Sequence, residues 1–256
     1  MASATPLPRW LYIPACLGII FVLLPLVGIL AKIPFGNFFS LLFTPSSVAA
    51  LTVSLLTSTT ATVICLFLGV PLACVLARAD FPGRHIVRTC TLLPLVLPPV
   101  VGGIALLYTF GRLGLIGKGL STLGIDIAFS TLAVILAQVF VAMPFIVMTL
   151  EGALRSHDTR YEVVATGLGA SPGYVFRHIT LPTVRPAIIS GSILCFARTL
   201  GEFGATITFA GSLQGRTRTL PLEIYLLRET DPAAAIALSL VLIVLAALLV
   251  WVSRRV

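Results

Sequence analysis

The sequence predicts an all-α integral membrane protein with six transmembrane helices in one domain covering residues 1–256. Three observations predict it. Hydrophobic residues make up 58% of the chain and charged residues only 10%, where an ordinary soluble domain carries about 25% charged residues. The mean hydropathy is +1.09, so too little polar surface remains to cover a water-soluble core. Finally, uncharged runs long enough to cross a bilayer recur along the whole chain, a span needing roughly 20 apolar residues.

Taken in order, residues 10–31 contain no charge and would form about 33 Å of helix at 1.5 Å per residue. A cleaved signal peptide is the alternative, but the run is long, no A-x-A site follows it, and further apolar runs come after. Residues 35–46, with Gly, Asn, Pro and Ser, read as a loop. The second span, 48–76, carries Thr52, Ser54, Thr57, Ser58, Thr59, Thr60 and Thr62, hydroxyls able to bond helix to helix or to face a cavity. Residues 89–111 and 127–150 are spans three and four. Pro94, Pro98 and Pro99 in the third must kink or open the helix, freeing carbonyls that need a buried or wet setting; an ordinary packed kink is the plainer reading. The fifth run, 186–210, is interrupted by Arg198 and Glu202, and the sixth is 232–253.

The net charge of +8 does not point to nucleic acid, because the basic residues sit singly or in small groups between apolar runs without interleaved aromatics. Sorted by alternate loops, ten Lys and Arg, from Arg9 to Arg254 and Arg255, lie on one side and six on the other. That bias places both termini in the cytoplasm. Cys16, Cys65, Cys74, Cys90 and Cys195 show no CxxC and read as small buried hydrophobes. His85, His157 and His178 have no carboxylate or cysteine at ligand spacing, so no metal site is expected. Neither an appended soluble domain nor an internal repeat is expected.

The longest polar stretch, 151–185, is placed on the cytoplasmic side. Asp158 reads as an N-cap, and Tyr161, Val164, Ala165 and Leu168 follow at i, i+3, i+4 and i+7 on one apolar stripe. Gly169 would end this helix as a C′ glycine. Ser171 and Pro172 would cap and open a second short helix through Ile179, with Val175 and Ile179 on one face and a stop at Leu181-Pro182. Two short helices at a tight turn make a rigid knob, suited either to docking a partner or to packing as a plain surface hairpin.

These residues resemble a known loop. The spacing Gly169, Ile179, Leu181-Pro182 matches the EAA loop of ABC importer permeases, in which EAA, three residues and Gly are followed after nine residues by I-x-L-P. The start departs from the pattern: Val163 and Val164 occupy the glutamate and first alanine positions, Ala165 agrees, and Glu162 stands one place early. The run 196–225, FARTLGEFGATITFAGSLQGRTRTLPLEIY, and the proline-rich 94–102 resemble molybdate permeases of the actinobacterial type and, more loosely, sulfate permeases.

The resemblance implies a type I ABC importer permease fold and a tetrahedral oxyanion as cargo, molybdate or tungstate before sulfate or thiosulfate. It further implies a homodimer in a bacterial cell membrane, two ATP-binding cassette subunits carrying ATP and Mg, and an extracytoplasmic oxyanion-binding protein. On this reading Glu162, Ala165, Gly169, Ser171, Pro172, Ile179, Leu181 and Pro182 couple the chain to the ATPase. Arg198 and Glu202, four apart, share a helical face and can neutralise one another; they either border the pathway or its gate, or fix helix packing. Gly201 and Gly204 would admit a neighbouring helix, and Thr206 and Thr208 could offer hydrogens to an oxyanion.

Enzymatic activity is not expected of this chain. No GxSxG or HExxH occurs, and residues 111–119 fail the P-loop pattern because Arg112 stands where its first glycine must be. Energy must then come from a partner ATPase or from an ion gradient. An ion-coupled carrier is the remaining alternative, although Glu202 is the single acidic residue inside a predicted span.

Overall fold

The computed structural model describes residues 8–156 and 158–253, among which no strand occurs. His157, Arg254 and Arg255 therefore lie outside the described residues. The helices are α1 (Tyr12–Leu30), α2 (Phe38–Leu42), α3 (Pro45–Arg78), α4 (Arg84–Val96), α5 (Pro99–Phe110), α6 (Gly117–Thr122), α7 (Thr131–Ser156), α8 (Arg160–Gly167), α9 (Pro172–Val175), α10 (Leu181–Leu200), α11 (Gly204–Ala210), α12 (Leu220–Thr230) and α13 (Pro232–Ser253). Five helices are long and apolar enough to cross a membrane, and the bent pair α4 and α5 makes a sixth crossing if counted as one.

The core is built on α3, α7 and α10. Ser58 lies beside Gln138, Cys65 beside Val139 and the Gly69 backbone against Ile146, so α3 and α7 run in the same direction. Thr199 meets Gln138 while Gly191 meets Ile146, so α10 runs the opposite way. A Cβ at Gly69 would lie 2.5 Å from Ile146 Cγ2, and one at Gly191 would lie 2.9 Å from Ile146 Cδ1. Glycine on both flanks therefore lets two helices close on one isoleucine, the small-residue packing on which helices in lipid rely. Buried Gln138 ties the three together, donating to Thr199 O at 3.2 Å and to Ser58 Oγ at 3.5 Å.

Several elements depart from the sequence reading. The loop 35–46 contains α2, and α3 starts inside its end because Thr44 caps Ser47 N–H with Pro45 in the first turn. Thr52, Thr57, Thr60 and Thr62 bond back into their own helix, as Thr57 does to Val53 O and Thr62 to Ser58 O; Ser54 instead accepts Leu220 N–H at 2.6 Å and so joins α3 to α12. The reading of all five cysteines as buried is corrected. Cys65 and Cys195 are buried, but Cys16 and Cys90 are exposed. Helix α1 buries no residue at all, because hydropathy does not separate a face packed in the chain from a face given to lipid.

The third and fifth runs are not continuous helices. The chain bends by 118° between α4 and α5 at Leu97-Pro98, where two adjacent prolines remove consecutive N–H donors; Pro94 stays inside α4. The two halves still reach opposite ends of α7, Arg88 pairing with Glu151 near one end and Leu106 and Phe110 packing with Ala133 and Val134 at the other. The fifth run breaks at residues 201–203, between α10 and α11.

Candidate functional site

The two-helix knob predicted from the sequence forms, with two corrections. Asp158 is not the residue that opens α8: Thr159 holds the cap position, and Asp158 Oδ1 accepts Arg160 N–H at 3.0 Å. Nor does Leu181-Pro182 stop the second helix. After Ser171 Oγ caps Tyr174 N–H and Pro172 opens α9, the chain widens into a π turn over Phe176–Thr180 and continues directly into α10. The wider turn admits Pro182, whose ring would strike the carbonyl four residues back in a regular helix. Tyr174 and His178 stack across this segment with ring centroids 4.1 Å apart.

Gly169 behaves as read. Its φ is +87°, its N–H bonds Thr166 O, and Ala170 N–H bonds Ala165 O, both at 3.0 Å; this is the Schellman pattern that closes a helix at a C′ glycine. Tyr161, Val163 and Val164 on α8 and Leu168 at its C-cap are all exposed, Leu168 by 84%. Ala165 is half-buried, and Val175 is buried beneath the knob. Ser171, Pro172 and Pro182 lie exposed, whereas Ile179 and Leu181 are half-buried. Three large apolar side chains on α8 and Leu168 at its C-cap are thus left uncovered by the rest of the chain.

Glu162 points the other way, its side chain only 13% exposed and paired with Arg78 at the end of α3. That chain end is also held by α4, since Arg84 Nε and Arg88 donate to Leu76 O. Arg88 in turn pairs with buried Glu151, which Arg155 also contacts at 3.1 Å. A cleft of about 580 Å³ lies between α3, α7 and the knob. Sequence reasoning missed Arg78, Arg88 and Glu151 because their partners are 63 to 84 residues away. A lone Gln138 inside an apolar run was the one readable sign of the polar tie in the core.

Inside the bundle, Arg198 Nη1 lies 2.6 Å from Glu202 Oε2, with Glu202 1% exposed and Arg198 28%. The pair is not on one helical face as expected. Arg198 belongs to the last turn of α10, while Glu202 lies in the break, where its Oε1 accepts Ala205 N–H at 2.8 Å. A carboxylate thus meets the N-terminal turn of α11 and a guanidinium the C-terminal turn of α10, each at the end its charge favours. Gly204 does admit a neighbour, but within this chain: a Cβ there would lie 2.7 Å from Pro99 Cβ. The breaks of the two discontinuous spans therefore adjoin. Gly201 is exposed. Thr208 donates its hydroxyl to Gly204 O at 2.8 Å, and Thr206 is fully buried with no hydrogen-bond partner for Oγ1, so neither hydroxyl presents a hydrogen to open space. Among the described residues no three His, Cys, Asp or Glu side chains gather as metal ligands.

Two broken spans thus meet beside a buried ion pair, and a capped knob with an exposed apolar face follows α7. The family described as "Binding-protein-dependent transport system inner membrane component" matches residues 69–256. The chain belongs to that family. It is 60% identical over 250 residues to the molybdenum transport system permease protein ModB of Mycobacterium tuberculosis, covering 98% of this chain and 95% of that protein. The sulfate permease CysT of Salmonella typhimurium is 34% identical over 237 residues, 92% of this chain and 86% of that one. A permease chain of a bacterial alginate ABC transporter, solved with its periplasmic protein, superposes with a TM-score of 0.73 at 19% identity, covering 96% of this chain and 94% of its own. The six-run, all-helical permease fold and the resemblance to molybdate permeases are borne out, with sulfate permeases more distant.

Proposed function

We propose that the chain is the membrane subunit of an ATP-driven importer for a tetrahedral oxyanion, molybdate or tungstate in the first place. The observation that carries the reading is 60% identity along nearly the whole of a molybdenum permease. The exposed apolar face of α8, closed by the Gly169 turn, supplies the element such a subunit needs to receive work from elsewhere. On this reading two copies line one pore, two ATPase subunits dock at the knobs and hold ATP and Mg, and a binding protein delivers the anion from outside. The chain itself performs no hydrolysis. Closure of the ATPase pair pushes α8, α9 and the π turn, and α10 carries the motion to the break at 201–203, where Arg198, Gly201, Glu202, Gly204, Thr206 and Thr208 border the gate.

The test is uptake of labelled molybdate by vesicles holding the chain, its cassette ATPase and the binding protein. Uptake should require ATP and all three components, and equimolar tungstate should compete where sulfate does not. Uptake that persists without the ATPase and follows an ion gradient would make the chain a secondary carrier instead.

Both termini and the knob belong to the cytoplasm in this proposal. Exposed Cys90 then lies two residues from Arg88 near the cytoplasmic end of the bundle, and Cys16 lies within α1. A membrane-impermeant thiol reagent should label intact cells close to zero and label Cys90 in inverted vesicles. Strong labelling of intact cells would invert the orientation.

A further inference from the structure

Successive residues on a helix are turned by about 100°, so moving an acidic side chain one place along α8 changes what it can reach. Position 163, where the EAA pattern carries its glutamate, is Val163 and is 68% exposed. The acid at 162 instead turns toward the membrane domain. Its Oε1 accepts Arg78 Nη2 at 3.0 Å and the Thr180 hydroxyl at 2.7 Å, and its Oε2 pairs with Arg78 Nη1. Thr180 is buried in the π turn. One carboxylate therefore holds three elements together: α8, the end of α3, and the turn that leads into α10.

We infer that Glu162 is a positioning residue that locks α8 to α3 and to the π turn, so that a push on the exposed face of α8 moves the transmembrane helices instead of tilting α8 alone. The inference rests on the importer reading and deepens it. Arg78 is the last residue of α3, and the carbonyls of Leu76 and Ala77 just before it accept Arg84 and Arg88 of α4. The lock thus reaches the first half of the broken third span as well as α10. Peptide linkage alone would leave α8 able to swing about the Gly169 turn.

The experiment uses the complete importer in vesicles, with wild type, Glu162→Gln, Arg78→Met, and the exchanged pair Glu162→Arg with Arg78→Glu. Two quantities are read: molybdate ions imported per ATP hydrolysed, and amide hydrogen exchange across Arg160–Gly167. The ATPase should still co-purify with each variant, because the exposed apolar face is untouched. In either single variant the ions carried per ATP should fall roughly five- to tenfold, and α8 amides should exchange faster; the exchanged pair should regain most of both. Wild-type ions per ATP in both single variants, or unchanged exchange over α8, would overturn the lock. A loss of uptake that merely tracks loss of assembly, with no recovery in the exchanged pair, would also overturn it. Failure of the wild-type chain to import molybdate with ATP would overturn the importer reading, an outcome separate from a coupled wild type with indifferent variants.

Discussion

Arg198→Met should cost about 3 kcal/mol of folding stability, the low end of the range for breaking a buried ion pair by removing one partner. The low end applies because Arg198 is 28% exposed and because Glu202 keeps a second partner, the Ala205 N–H at 2.8 Å. The loss is still large, since Glu202 is 1% exposed and a carboxylate in that setting is left without a counter-charge. Adding Glu202→Gln removes the charge while keeping a carbonyl oxygen for Ala205 N–H, so the double variant should regain much of the folded yield. Uptake should recover less than yield, because the ion pair bridges the break at which the proposed gate opens. The measurement is purified yield and molybdate uptake for Arg198→Met, Glu202→Gln and the two combined. Equal recovery of yield and uptake would reduce the pair to scaffolding, and wild-type yield from Arg198→Met would show that the charge on Glu202 needs no partner.

How far the sequence could be read depended on the range of the interactions involved. Uncharged runs and local caps act over a few residues, so the helix-forming runs, the Gly169 turn and the Ser171-Pro172 start were legible. The π turn was not. Leu181-Pro182 carries the ordinary stop signal, and the burial of Val175 and Thr180 that accompanies the widened helix is set by tertiary packing no local pattern shows. The i, i+4 spacing of Arg198 and Glu202 identified the pair but misplaced it, because spacing assumes a continuous helix and residues 201–203 interrupt it. The hydroxyls of Thr206 and Thr208 looked available for an anion because sequence cannot tell which hydroxyl bonds its own helix, as Thr208 does. The inward turn of Glu162 depends on Arg78, 84 residues away, and no local pattern announces it.

Gly169→Val should abolish ATP-coupled uptake while leaving the chain folded. The backbone at 169 has φ +87°, a conformation a β-branched residue adopts only at a cost of about 1 to 3 kcal/mol. No atom lies within 4 Å of where a Cβ would be, so the penalty is purely one of backbone conformation and is confined to the turn. The chain would escape it by leaving the left-handed region, which breaks the bonds from Gly169 N–H to Thr166 O and from Ala170 N–H to Ala165 O. α8 would then swing relative to α9, displacing Tyr161, Val164 and Leu168 from the geometry proposed to meet the ATPase. The packed core of α3, α7 and α10 lies away from this turn, so folding and membrane insertion should survive. Gly169→Asn provides the control, since asparagine tolerates the left-handed region better than other non-glycine residues, and it should retain most of the uptake. The measurements are ATPase co-purification and anion-stimulated hydrolysis for both variants beside wild type. Normal transport by Gly169→Val would sink the idea that this loop acts as a lever, because a lever whose joint can be remade without effect transmits nothing.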